Sequence, residues 1–231
     1  MDTYCYIKKN YSELVREINS LGEAAGRKIT LVAVTKSGSD EELLALASAG
    51  CQDIGENRPG ELARRGELLL SRGFTPVLHE VGHLQRNKVK YIAGTVVLIH
   101  SLDSLPLAEE INARAGRLGR RIPVLIEINS AREPQKGGIM PEDAEEFFLR
   151  VRELANISVV GLMTIGPVCD GEEIRPYFRL TRGIFDRLNE LYGFEGGGIL
   201  SMGMSDSYRI AIEEGATLVR VGRRLFNKNE N

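Results

Sequence analysis

The sequence contains no apolar run approaching the roughly 18 residues that a membrane-spanning helix needs. Its first segment, MDTYCYIKKNYSEL, lacks the charged-then-apolar pattern of a signal peptide. Cysteine is scarce. Cys5, Cys51 and Cys169 are odd in number and far apart, and none has a cysteine or histidine partner at metal-ligand spacing. That usage fits reduced thiols rather than a disulfide framework, so a cytoplasmic protein is expected. Neither sign of charge dominates: the formal net charge is −2, which leaves no electrostatic footprint for nucleic acid or an acidic membrane. The pairs Arg64-Arg65, Arg120-Arg121 and Arg223-Arg224 are scattered and read as solvated faces. No low-complexity linker or composition shift marks a boundary, so residues 1–231 are expected to form a single domain.

What is present is one alternation repeated from end to end. Ile7, Tyr11, Leu14, Val15, Ile18 and Leu21 recur at three- and four-residue steps, so the chain opens with an extra amphipathic helix. A strand follows at about 30–35. Ser39 and Glu42 then form a capping box for a helix that Gly50 closes. CQDIGEN is a short strand running into a turn, and Pro59 sits at the start of the next helix. Further strands are read at 77–81, 96–100, 123–129, 159–164, 199–202 and 217–221, with helices at 85–93, 105–118, 141–154, 174–191 and 207–214. The strands are unalternating and rich in Val, Ile and Leu, as in a parallel sheet covered by helices. Eight such units predict a closed (β/α)8 barrel of the TIM type, with an open doubly wound sheet as the alternative.

In a barrel, function gathers at the C-terminal ends of the strands. The polar oddities of this sequence fall there: Lys36, Glu56 and Asn57, His83, Ser101 and Asp103, Asn129, Thr164, SMGMS (201–205), Arg220 and Gly222. A lone lysine flanking a strand ordinarily snorkels to water and does nothing chemical. SMGMS runs directly into a helix, Gly203 lets backbone N–H groups approach a ligand, and Gly222 permits the same next door. Together they suit an anion; taken alone, Ser205 would merely cap its helix. Residues 79–83, HEVGH, match a zinc-hydrolase pattern, but that pattern needs a helix, and Val77 and Val81 are strand-like. GFEGGG (193–198) is followed by no Gly-Lys-Ser/Thr and is a loop rather than a P-loop.

The motifs LVAVTK, IGEN, GHLQRNKVK, HSLDS, GLMTIGP, SMGMSDSYRIAI and ATLVRVG, in this order from about residue 28 to 226, resemble the pyridoxal phosphate homeostasis proteins. These are single-domain relatives of the alanine racemase N-terminal barrel. The resemblance implies pyridoxal 5′-phosphate (PLP) held as a Schiff base on Lys36, with Ser205 and Gly222 at its phosphate and Arg220 facing the pyridine nitrogen. It places Asn57 and Met202 along the cofactor. Arg223 stands where the family usually has a threonine, so its backbone N–H remains while a hydroxyl is lost. Arg58-Pro59 replaces an aromatic and an aliphatic residue, and Ser207 replaces an expected acid.

A lysine near cationic groups and partly desolvated becomes nucleophilic and condenses with an aldehyde. PLP works best as an electron sink when its ring nitrogen is protonated against a carboxylate, which an arginine opposes. Racemases of this fold add a second β domain and a tyrosine base, whereas only five residues follow Phe226 here. A non-catalytic PLP carrier is therefore expected, monomeric, with PLP-requiring apoenzymes as its partners. A small racemase using Lys36 with a second base near His83 is the alternative.

Overall fold

The computed structural model describes residues 3–169 and 171–228. Its strands are β1 (Thr30–Val34), β2 (Asp53–Glu56), β3 (Val77–Glu80), β4 (Leu98–Leu102), β5 (Ile122–Glu127), β6 (Ile157–Met163), β7 (Ile199–Ser201) and β8 (Leu218–Val221). They form one closed barrel in chain order, every pairing parallel, with β8 returning to β1. The expected (β/α)8 architecture is what the chain adopts. Outside the sheet lie α1 (Cys5–Ala24), α2 (Asp40–Ser48), α3 (Pro59–Ser71), α4 (Leu105–Arg117), α5 (Ala144–Arg152), α6 (Arg175–Tyr192), α7 (Tyr208–Glu213) and α8 (Arg223–Phe226). No helix among the described residues is long and apolar enough to cross a membrane.

The local signals explain the elements. Ile7, Leu14 and Ile18 bury one stripe of the opening helix. The capping box of α2 forms with both of its bonds: the Ser39 hydroxyl accepts from the Glu42 amide, and the Ser39 amide donates to the Glu42 carboxylate at 2.7 Å. Pro59 begins α3. The expected helix over 85–93 is instead a 3-10 helix, Arg86–Tyr91. Its wider rise lets six residues cover the gap from β3 to β4, with Val89 and Ile92 buried three positions apart. The expected strand at 96–100 is shifted to Leu98–Leu102, so His100 and Ser101 lie within it.

Alternation along each strand divides the core. Ala33, Ile54, Ile99, Ile126, Leu162, Leu200 and Val219 join the larger cluster between sheet and helices. Val32, Leu98, Leu125, Met163 and Leu218 form a smaller cluster inside the barrel. The inward parity then continues upward to Val34 at the end of β1 and Lys36 two residues beyond it, His100 on β4, Glu127 on β5 and Arg220 on β8. The lower barrel is therefore apolar, and polar side chains take over towards the C-terminal rim.

Candidate functional site

A cavity of about 270 Å³ opens at that rim. It is lined by Lys36, Asn57, Ser205, Arg220, Gly222 and Arg223, together with Val34, Val81, Gly82, Ile165 and Met204. Six of the seven site residues read from the sequence thus meet in one place. Met202 does not line it. Strand alternation carries Leu200 and Met202 outward into the core beneath the helices, while Ser201 and Gly203 face inward. Met204, beyond the strand end, contributes to the lining instead.

Lys36 lies two residues past β1 and is exposed, so the expected partial desolvation is not built into the protein. Its backbone is nevertheless held from behind. Arg65 on α3 is buried, not solvated as the Arg64-Arg65 pair suggests, and donates to the carbonyls of Thr35 and Gly38 on either side of Lys36. The same guanidinium pairs with the buried Glu56 carboxylate at 2.6 Å, which also accepts from the Thr35 hydroxyl. Arg64, by contrast, is exposed on Asp40 and Glu61.

Arg220 is buried at the cavity floor. It donates to the Ser201 hydroxyl at 2.6 Å and to the Thr164 carbonyl at 3.0 Å. Burial pushes its guanidinium down to about 10, against an opposite pull from Glu127, so it keeps its charge at neutral pH. No Asp or Glu lines this cavity, whereas Lys36, Arg220 and Arg223 all do. The site is built for negative charge.

The SMGMS loop turns on Gly203, which has φ +90°; a Cβ there would lie 2.5 Å from that of Ala211. Ser205 does not cap the following helix. That helix begins only at Tyr208, and Ser207 instead accepts from the Met204 amide at 3.1 Å. Among the described residues the Ser205 and Asp206 amides make no backbone bond, which leaves them as donors to a ligand. Gly222 is needed for a reason the sequence did not show: a Cβ would lie 2.8 Å from the Val34 carbonyl oxygen, closing the β8–β1 join. Arg223 pairs with Asp206 and ties the SMGMS loop to α8.

HEVGH is not a metal pair. His79 lies on β3, is buried inside the barrel and contacts Asp53, whereas exposed His83 follows the strand and contacts Asp103. Two acids escaped the sequence reading. Glu127 lines an adjoining cavity of about 380 Å³ that shares Val81, Gly82 and Ile165 with the first. Burial and nearby Asp103 push its carboxyl up to about 7. Glu80 is pushed up to about 8 by burial, with Glu56 adding to the shift and the Gly82 amide opposing it. The available signal was a charge inside an otherwise apolar strand, as in VLHE and PVLIEIN.

Residues 10–229 match the alanine racemase N-terminal domain family. The chain is 41% identical over 223 residues to a pyridoxal phosphate homeostasis protein of Aquifex aeolicus, covering 95% of this chain and 96% of the relative. It is 34% identical to the Helicobacter pylori protein of that name, covering 96% and 98%. The solved structure of PipY from Synechococcus elongatus with PLP bound superposes with a TM-score of 0.83 at 28% identity, covering 96% of this chain and 100% of PipY. On its sequence and its fold, the chain belongs to the pyridoxal phosphate homeostasis proteins, within the alanine racemase N-terminal domain family.

Proposed function

We propose that this protein binds PLP through Lys36 and holds it for intracellular PLP homeostasis without turning over amino acids. The observation that carries this reading is the composition of one cavity: an accessible amine, two guanidinium groups, loop amides without a backbone bond and no carboxylate. Bound there, PLP supplies an aldehyde to an amine and, in enzymes, an electron sink. The residues of this chain do the rest. Lys36 presents a nucleophile whose water is displaced by the ligand itself. Ser205, the 205–206 amides and the Gly222–Arg223 turn hold the phosphate, with the Arg223 side chain committed to Asp206. Arg220, which can only donate, keeps a ring nitrogen unprotonated, and this weakens the electron sink. Asn57 packs along the side wall against Gly82. PipY, the relative with PLP bound, supports the choice of ligand.

Every group of the proposed site comes from one chain, so a monomer suffices; PLP-requiring apoenzymes are the proposed recipients. Reduction with borohydride followed by digestion and mass spectrometry tests the attachment. The expected adduct is on Lys36. An adduct on Lys88 or Lys136, or on no lysine, overturns the assignment.

One observation favours a second reading, a small racemase. Glu127, whose carboxyl titrates near neutrality, sits beside the cofactor cavity and could move a proton. Racemisation assays with alanine, serine, glutamate and ornithine decide between the two. Carrier function predicts no turnover, and rapid loss of optical activity with any of them supports the racemase.

A further inference from the structure

Beneath the cavity a chain of polar contacts crosses the barrel interior. The Arg220 guanidinium meets the Ser201 hydroxyl at 2.6 Å. Ser201 Oγ lies 3.0 Å from His100 Nδ1, and His100 Nε2 lies 3.0 Å from His79 Nδ1. His79 Nε2 lies 3.1 Å from Asp53 Oδ1. Asp53 is the first residue of β2, at the end of the barrel opposite the cavity, and its side chain is 34% exposed. His100 and Ser201 are fully buried. The apolar layer of the barrel needs none of these groups.

With both rings neutral, the two ends fix the direction of every bond. A guanidinium only donates and a carboxylate only accepts. His79 Nε2 must therefore carry a hydrogen for Asp53, and a neutral His79 must accept at Nδ1. His100 must then carry its hydrogen on Nε2 and accept at Nδ1 from Ser201, whose oxygen accepts from Arg220. In this neutral arrangement three hydrogens fill the three contacts beyond the arginine. Burial first, then the neighbouring His79 and Arg220, hold His100 well below the usual imidazole range, so His100 takes no charge of its own.

We propose that His79, His100 and Ser201 position Arg220 for the cofactor ring, and that one proton gained by His79 reverses the order of this chain of bonds. When His79 holds both ring hydrogens, Nδ1 donates to His100 Nε2. The His100 hydrogen then sits on Nδ1 and points at Ser201, which now accepts from both sides while its own hydrogen turns away. One proton is taken from water, none is lost, and each ring keeps its contacts. Arg220 then shares its acceptor, so its hold on the floor loosens. A change at the Asp53 end is thereby felt under the ligand.

The groups that bear on this are few. Asp53 faces His79 from β2, and His100 faces it from β4. Arg220 on β8 acts on His100, and Glu127 on β5 acts on Arg220. Glu80, next to His79 on β3, has its side chain on the opposite face. Tyr11 and Cys51 lie near Asp53; burial raises both, Cys51 to about 12, so they stay neutral.

The effect on the ligand rests on the reading of Arg220 as the residue facing the ring, and the test separates the two. The chain has three histidines, so long-range proton–nitrogen correlation spectra of the ligand-free protein resolve each ring once His83→Gln identifies the third. Both buried rings are expected as Nε2–H tautomers at high pH. On acidification His79 should gain a second hydrogen, and His100 should switch to Nδ1–H in the same transition. Asp53→Asn should move that transition to lower pH. A His100 that stays Nε2–H while His79 titrates, or starts as Nδ1–H, overturns the proposal. In PLP-loaded protein the absorption band should shift over the same pH range, and Ser201→Ala should abolish the shift. A pH-independent band in wild type, despite the expected tautomers and a spectrum that responds to Arg220→Lys, overturns the coupling to Arg220. A spectrum indifferent to Arg220→Lys, with the tautomers as expected, instead overturns the placement of Arg220 at the ring.

Discussion

At the scale of single residues, the site depends on a few atoms with no substitute. Replacing Lys36 by alanine should leave the fold intact, because the side chain is exposed and no ion pair among the described residues uses it. PLP should then no longer be trapped by borohydride, as mass spectrometry of the whole protein would report. Ser205→Ala should weaken PLP by about 1.5–3 kcal/mol, the range for one hydrogen bond to a charged group. Unphosphorylated pyridoxal should be indifferent to that change, and titrating both ligands into both proteins checks it. Gly222→Ala should cost stability as well as affinity, since its new carbon would press on the Val34 carbonyl. Arg220→Glu should retain PLP on Lys36 but alter its absorption spectrum, because a carboxylate favours a protonated ring.

At the scale of elements, α3 and the loop after β1 form one polar joint. Arg65→Met would leave Glu56 buried without its partner, and removing one member of a buried ion pair costs about 3–5 kcal/mol. Chemical denaturation of the variant reports this directly. β3 makes a prediction of opposite character. The Glu80 carboxyl is pushed up to about 8 in the folded protein, against an ordinary carboxylate range near 4–5 in the unfolded chain. Between those values the folded state holds more protons, so stability falls as pH rises through that window. Glu80→Gln should flatten the decline of melting temperature from about pH 5 to 8. An unchanged slope would mean that Glu80 ionises freely in the fold.

At the scale of the whole molecule, the architecture was legible because each unit carries its own periodicity, caps and apolar strand. Ser39 with Glu42 and Pro59 set two helix starts where the sequence placed them. The segment over 85–93 misled because a helical spacing of apolar residues does not distinguish an α-helix from a short 3-10 turn. Six of the residues read from the sequence line one cavity because polar groups at strand ends converge in any closed barrel. Met202 falls outside that cavity on parity: one step along the chain from Ser201 exchanges the inside for the outside. Glu127 and Arg65 were missed for a different reason. Their roles depend on partners distant in sequence, and no local pattern encodes the burial of Arg65 beside exposed Arg64. If PLP binds the folded state alone, excess ligand should raise the melting temperature, at about 2.7 kcal/mol of added stability for a hundredfold excess over Kd.

The clamp that Arg65 places on Thr35 and Gly38 also bears on time. If PLP is joined to Lys36 as an imine, it leaves only after water hydrolyses that C=N bond and the freed aldehyde's phosphate lets go; a backbone gripped by α3 at both flanking carbonyls would keep the regenerated amine in place to re-form the bond first. On that reading the clamp would govern residence time rather than capture, since the amine meets an arriving aldehyde in either case. Arg65→Lys keeps the charge but supplies a single ammonium where a planar fork spans two carbonyls. In stopped-flow measurements it should leave the association rate of PLP nearly unchanged and speed release several-fold. Equal release rates for the two proteins would show that the loop around Lys36 is held by something else.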